Sequence, residues 1–338
     1  MDLTLGPEQE TVRDAIRGVL ADRLPIARVR ALLRTEDGFD EAAWRQAGAL
    51  GWFGLGLPEP AGGAGYGLAE EMLLFVELGR ALAPGPWLGT LLAAHALAGA
   101  SRALHAAVLA GSHRVAVVDD PREGDEPGGE PVGMVADAQA ADGFLVVGAR
   151  TVRHVPADAR GVSLEVGPSI DPTRRLGRLR LDGVPSEPLA VDASALRARA
   201  TVLVAAEAVG VAERTLEMSV EYAKVRQQFG RPIGSFQAVK HRCADMAVRT
   251  EVARSLTTYA AVALRDGEAE ARRHVRAAKA LAVDAALANA TDNVQNHGGM
   301  GFTWESDAHL YLKRAWLLEH TFGTRAEHLD ALAGAWPA

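Results

Sequence analysis

The chain has 338 residues, 48% hydrophobic and 23% charged, with a net charge of −7 from 36 basic and 43 acidic side chains. This length suits two or three packed domains with a sizeable core, and the composition excludes disorder, collagen and a disulfide-stapled mini-protein. The acidic balance argues against a nucleic-acid partner, because neutralising phosphates needs a basic face.

No run approaches 18 uninterrupted apolar residues, and the opening MDLTLGPEQE is acidic rather than basic leading into apolar. The expectation is therefore a chain that neither enters a membrane nor is exported. The single cysteine, Cys243, allows no internal disulfide and fits a reducing cytoplasm. No metal site is expected. The basic residues are 32 arginines and four lysines, Lys224, Lys240, Lys279 and Lys313, and locally clustered arginines would suit an anionic small ligand.

From 1 to about 110 the pattern is helical. In VRDAIRGVLADRL the apolar residues Val12, Ile16, Val19 and Leu20 recur every three or four positions and make one face. LPEPAGGAGYG is a loop forced by Pro58, Pro60 and its glycines. EEMLLFVELGRALA predicts an apolar helix ending at Pro84-Gly85-Pro86, and LGTLLAAHALAGA a further buried one. Between about 113 and 192 the period shortens to alternating runs, RVAVVDD, FLVVGA, VSLEVG and RLRLDGV, which predict strands. Residues 119–131 are charged and rich in Pro and Gly, and read as an exposed hairpin loop or a partly disordered insertion. Four long amphipathic segments follow, at 196–226, 237–265, 269–296 and 307–334, and suggest a bundle. The fold class is α+β, mainly α: an N-terminal helical domain at 1–112, a small, shortened β domain at 113–195, and a helical bundle at 196–338. No alternating βαβ pattern and no GxGxxG motif point to a Rossmann site.

Two segments place helix-terminating glycines beside polar residues that a turn does not require. The first is YAKVRQQFGRPIGSFQ, residues 222–237, in which Gly230 and Pro232 would end one helix and Ser235 would cap the next. By shape alone this is a helix connection with a solvated arginine. The second is DNVQNHGGMGFTWE, residues 292–305, where three glycines in four residues let backbone approach a flat or anionic ligand and Gln295 offers donors and acceptors beside it. By shape alone this is a glycine C-cap with His297 hydrogen-bonded at the helix end.

Together, RQQFGRPIGSFQAVKHRCADM and QNHGGMGFTWE, about 50 helical residues apart, resemble the flavin-binding signatures of the acyl-CoA dehydrogenase family. WRQAGALGWFGLGLPEPAGGAGYG and VELGRALAPGPWLGT resemble that family's N-terminal domain, so the likeness spans nearly the whole chain. It implies FAD as cofactor, an acyl-CoA substrate and electron-transfer flavoprotein as acceptor, with parts of each FAD site supplied by a neighbouring subunit. Carried over, it assigns Arg226 to the FAD pyrophosphate, where a guanidinium fork suits two phosphate oxygens. Gln228 and Phe229 would support the pyrophosphate and adenine, while Gln295, Gly298 and Gly299 would contact the adenosine and pyrophosphate portion. Gly323-Thr324 matches the Gly-Thr that touches FAD in many members.

The family's reaction removes an α proton with a carboxylate while a β hydride passes to the flavin. The position directly before Gly-Thr, where that base usually sits, is Phe322. The second known position, ten residues before Gly210, is Ala200. Glu207 on the same helix is the nearest spare carboxylate, with Glu319 and Glu305 as weaker candidates. The Thr-Glu-Pro-like loop and Trp-Ile-Thr-like strand that hold flavin and thioester in the family are also missing from 113–192. These losses leave either a rebuilt substrate site or a chain that holds only the half of the FAD site reaching into a partner. The second is favoured, and the resemblance then implies one subunit of a mixed α2β2 dehydrogenase of the actinobacterial kind, acting on a bulky or steroid-derived thioester. The alternatives are a flavin oxidase or monooxygenase of the same fold, and a structural subunit without chemistry.

Overall fold

In the computed structural model, residues 3–35, 37–120 and 131–334 are described. Most of them are helical, and the strands fall between Val115 and Leu181 apart from one short hairpin. The loop expected at 119–131 lies, from 121 to 130, outside the described residues. The chain forms two compact units. One comprises Gly18–Glu71 and Ala83–Ala200, the other Met1–Arg17, Met72–Leu82 and Thr201–Ala338.

In the first unit, which also holds α2 (Ile26–Leu32), the helices α3 (Glu41–Ala49), α5 (Trp87–Leu97) and α6 (Arg102–Leu109) gather around an aromatic cluster. The ring centroids of Trp44 lie 4.6 Å from those of both Phe53 and Trp87. The indole N–H of Trp44, buried among them, is satisfied by the Gly111 carbonyl at 2.9 Å. α5 is apolar all round, as a helix covered on every side must be. It lies against β1 (Val115–Asp119), where Thr90 Oγ1 both accepts from Val115 N at 3.0 Å and donates to Val115 O at 3.3 Å.

Two three-stranded sheets complete this unit, in the orders β1-β3-β4 and β2-β6-β5. β1 runs parallel to β3 (Gly143–Val147), and β3 antiparallel to β4 (Val152–Pro156). β2 (Pro131–Ala136) and β5 (Val162–Gly167) both pair antiparallel with β6 (Leu176–Leu181). In β6, Gly177, Leu179 and Leu181 turn inward while Arg178 points outward, the period-two pattern of a half-covered strand. Val118, Phe144, Val155 and Leu179 share one buried core. The four expected strands are thus joined by β2 and β4, which are interrupted by Gly133 and by polar Arg153 and His154 and so show weak alternation. Glu71, fully buried, accepts from His95 Nε2 at 2.6 Å and pairs with Arg199, so three helical segments converge on one carboxylate.

The second unit holds the first part of α1 (Pro7–Arg23), most of α4 (Leu68–Arg80), and the bundle. The bundle consists of α7 (Ala193–Val225, from Thr201 onward in this unit), α8 (Gln237–Arg265), α9 (Ala271–His297), α10 (Ala308–Glu319) and α11 (Arg325–Gly334). The segment expected as one helix over 307–334 is two helices, because Phe322 and Gly323 have φ of 56° and 91° and reverse the chain. α4 and α7 cross in backbone contact: a methyl at Gly79 would strike the Glu207 carbonyl, and one at Gly210 the Val76 carbonyl. Arg80 reaches from α4 to Glu213 and Glu217 of α7 at 3.0 and 2.8 Å. A polar row on α9 ties it to its neighbours. Asn289 Nδ2 donates to Ala212 O, Met246 O and Thr250 Oγ1, Asn293 Oδ1 accepts from Ser219 at 2.9 Å, and Asn296 Oδ1 accepts from Arg242 at 2.8 Å. Buried amides satisfied this fully fix helix register, since sliding by a turn would leave each one unpaired at about 1–3 kcal/mol.

Candidate functional site

α7 ends at Val225, five residues before the Gly230 expected to stop it. β7 (Gln227–Gln228) and β8 (Arg231–Pro232) then pair antiparallel. Phe229 and Gly230 join them with φ of 53° and 76°. Positive φ at both central residues marks a type I′ turn, whose twist matches that of the paired strands. The Phe229 ring is 92% exposed and meets Phe236 edge-on at 6.1 Å, while the Arg231 guanidinium lies 4.3 Å over the other ring, that of Phe236. Ile233 N donates to Arg226 O at 2.8 Å, so the backbone of Arg226 is held in place. Its guanidinium is exposed and makes no hydrogen bond or ion pair with another described residue. The Gln228 amide is exposed too and reaches only the Gln227 carbonyl, at 2.9 Å.

Ser235 does not cap α8. The helix begins at Gln237 with Phe236 at the cap position, and the Ser235 hydroxyl is buried without a partner among the described residues.

At the far end of α9, Gly298 has φ 61° and its N–H bonds back to Gln295 O. Gln295, Gly298 and Gly299 are exposed, and open space surrounds both glycines. His297 Nδ1 donates to Asn293 O at 2.8 Å, which fixes its tautomer, and its ring stacks on Tyr222 with centroids 4.2 Å apart and planes 22° apart. Tyr222 stands one helical turn before Arg226 and His297 adjoins Gly298, so the stack holds the arginine hairpin and the glycine loop together. The sequence alone did not mark this contact. Arg226, Gln228, Phe229, Gln295, Gly298 and Gly299 thus form one exposed cluster.

Thr324 belongs to a different cluster. Its N–H and hydroxyl both donate to Glu327 Oε2, at 2.7 and 2.9 Å, and Glu327 N returns a bond to Thr324 Oγ1 at 3.2 Å. This is a capping box for α11, and its Thr-x-x-Glu spacing was readable in the sequence. Glu319 accepts from Arg325 N at 3.1 Å and so serves the same helix end. The turn between α10 and α11 is gripped from below by Lys279, whose buried ammonium donates to Leu318 O at 3.0 Å, Glu319 O at 3.4 Å and Gly323 O at 2.9 Å. Burial pushes this ammonium down to about 8. His328 Nε2 donates to Phe322 O at 2.9 Å. Burial, reinforced by the Lys279 charge, pushes His328 down to about 4, so its imidazole is neutral near pH 7. Lys279 and Gln295 are 16 residues apart on α9, a helical rise of about 24 Å. Within one chain, then, the Thr324 turn and the Arg226 cluster sit toward opposite ends of α9.

Neither base position carries a carboxylate: Phe322 is 5% exposed with its ring in the bundle, and Ala200 is fully buried. Glu207, 3% exposed, accepts from Arg314 Nη1 at 2.7 Å, and Arg314 is itself fully buried. Its carboxylate is therefore engaged by a guanidinium inside the unit. Glu305 is exposed on the loop after the glycines.

The cluster around Arg226 fits a dinucleotide. An unengaged guanidinium suits a pyrophosphate, bare glycine backbone suits phosphate or ribose oxygens, and an exposed phenyl offers a face for adenine. Among the described residues there is no cluster of three or more metal-ligating side chains, and no helix is long and apolar enough to cross a membrane.

Residues 6–111 match the family model for the acyl-CoA dehydrogenase N-terminal domain, and residues 194–335 that for the C-terminal domain. The chain belongs to the acyl-CoA dehydrogenase family. It is 39% identical to acyl-CoA dehydrogenase IpdE2 of Mycobacterium tuberculosis over 320 residues, covering 93% of this chain and 92% of that one. Among solved structures it resembles the Tcur3481-Tcur3483 steroid ACAD G363A variant, with TM-score 0.89 and 31% identity over 98% of each chain. It resembles equally, with TM-score 0.89 and 28% identity over 100% of each chain, the ChsE4-ChsE5 complex from Mycobacterium tuberculosis.

Proposed function

We propose that the chain is one subunit of a heteromeric α2β2 acyl-CoA dehydrogenase that introduces an α,β double bond into a bulky or steroid-derived acyl-CoA. The observation that carries this reading is the division of its family-matched residues: an exposed group around Arg226 and Gln295 at one end of α9, and a Gly-Thr turn without its carboxylate toward the other. A cluster that far from its own Gly-Thr turn is suited to a flavin bound largely by a partner subunit. The names of the two solved relatives, a steroid enzyme and a two-protein complex, support the same substrate class and assembly.

FAD held there would supply the acceptor for the hydride of the β carbon. Arg226 would hold its pyrophosphate by paired charge-assisted hydrogen bonds, Gln228 and Gln295 would orient the adenosine half, and Phe229 would cover adenine. The α proton must go to a carboxylate, and neither family position here has one, so the base comes from the partner. The ion pair with Arg314 supports reading Glu207 as a structural carboxylate rather than the base. Electron-transfer flavoprotein is the proposed acceptor and the cytoplasm the proposed compartment.

The test is to purify the chain alone and together with a co-expressed, full-length acyl-CoA dehydrogenase from its own genome. The expected result is a colourless, inactive chain alone and a yellow, active mixed tetramer. A yellow homotetramer that oxidises an acyl-CoA at ordinary enzymic rates refutes the reading.

A further inference from the structure

A cavity of about 450 Å³ opens where the end of α7 meets the start of α8. Val220 and Ala223 of α7, Pro232 and Gly234 from the hairpin and the turn after it, and Val239 of α8 give it apolar walls. The remaining lining side chains are Lys224, Lys240 and Cys243, with no acid among them.

The lysines are the informative feature. The chain has four of them against 32 arginines. Lys279 is committed to three carbonyls, and Lys313 lies 5.2 Å from the centre of the Trp304 ring. The other two both line this cavity, and neither makes a hydrogen bond or ion pair through its side chain with another described residue. In a chain carrying 43 carboxylates, two ammoniums left together without an acid partner on an apolar cavity set up a field for an anion from outside. Lysine is a compact charge on a flexible stem, which suits a single carboxylate without requiring the planar fork that phosphate-binding arginines supply. The volume falls within the range of small-molecule sites. Lys224 is two residues before Arg226, yet Arg226 does not line the cavity, and neither do Gln228, Phe229 or the 295–299 loop.

We propose that this cavity binds an apolar molecule bearing one carboxylate, the hydrocarbon against Val220, Ala223 and Val239 and the acid between Lys224 and Lys240. This goes beyond the dehydrogenase reading and does not depend on it.

The test is fluorescence titration of the purified full chain with a dansyl-labelled undecanoate. One probe should bind per chain and be displaced by decanoate, while 1-decanol of similar length should compete poorly. The surface double variant Lys224→Met/Lys240→Met should weaken the probe by about fivefold or more. Val239→Trp should fill the cavity and abolish binding. Cys243 is the chain's one cysteine and lines the wall, so saturating decanoate should slow its alkylation by iodoacetamide by about fivefold or more. Failure of the probe to bind, equal binding by the double variant, or an unchanged alkylation rate overturns the proposal. Mole-for-mole displacement of the probe by FAD would instead assign the cavity to the dinucleotide, and refusal of the probe by the assembled complex would assign it to the partner. Both results also overturn it.

Discussion

Arg314 Nη1 donates to Glu207 Oε1 across 2.7 Å, with both side chains inside the bundle unit. Glu207→Gln keeps the shape but removes the negative charge, leaving a guanidinium buried without its counter-ion. Breaking one side of such a pair costs roughly 3–5 kcal/mol. Chemical denaturation of the variant should show a loss of that order, and turnover of the assembled complex should fall only with the folded fraction. A 10²-fold fall in turnover with normal stability and intact flavin would instead make Glu207 the base.

Arg226→Ala should do the opposite. The guanidinium is exposed and has no partner among the described residues, so folding stability should change by less than about 0.5 kcal/mol. Losing one charge-assisted contact to pyrophosphate costs about 1.5–3 kcal/mol, or roughly 10- to 100-fold in FAD affinity. Flavin release from the native complex, followed by fluorescence, measures it. Unchanged retention would remove Arg226 from the cofactor site.

Lys279 gives a pH signature. Its ammonium falls from 10.5 to about 8 on folding, so between those values the unfolded chain binds more protons than the folded one. Stability from this group therefore rises as pH increases from about 8 to 10.5 and is flat on either side. Lys279→Met lacks that rise. The stability difference between wild type and variant should shift in favour of wild type by on the order of 3 kcal/mol between pH 7 and 11. A difference constant with pH would mean that the ammonium is solvated.

Thr324→Ala removes the hydroxyl from both hydrogen bonds it makes with Glu327. Loss of a helix N-cap costs about 1 kcal/mol. Calorimetry should show a drop in Tm of roughly 2–4 °C, and Thr324→Ser should restore it.

Much of this structure was legible in the sequence wherever one physical signal dominated. The 3.6 spacing around Ile16 and Leu20, the alternation in RLRLDGV and the long runs of α8 and α9 became the elements expected. The break between α10 and α11 did not declare itself, because Phe322 is an unusual residue for a left-handed turn and apolar periodicity runs across it. The hairpin after α7 was hidden for the same reason: Phe229 occupies a place where Asn or Gly is the usual sign. The Tyr222–His297 stack and the grip of Lys279 on the Gly323 carbonyl join residues dozens of positions apart, and no local pattern encodes such pairs.

The Gly79–Gly210 crossing sorts the chain's helical glycines by what an extra methyl would do. Gly18 on α1 is exposed with empty space around it, and Gly18→Ala should add about 0.5–1 kcal/mol of heat resistance. The same replacement at Gly79 or Gly210 would wedge α4 away from α7. The reach of Arg80 to Glu213 and Glu217, and the hydrogen bond from Tyr311 Oη to Arg80 O at 2.9 Å, depend on that spacing. Two hydrogen atoms in place of side chains thus act as a gauge block for three helices, and a single methyl would open all of these contacts at once.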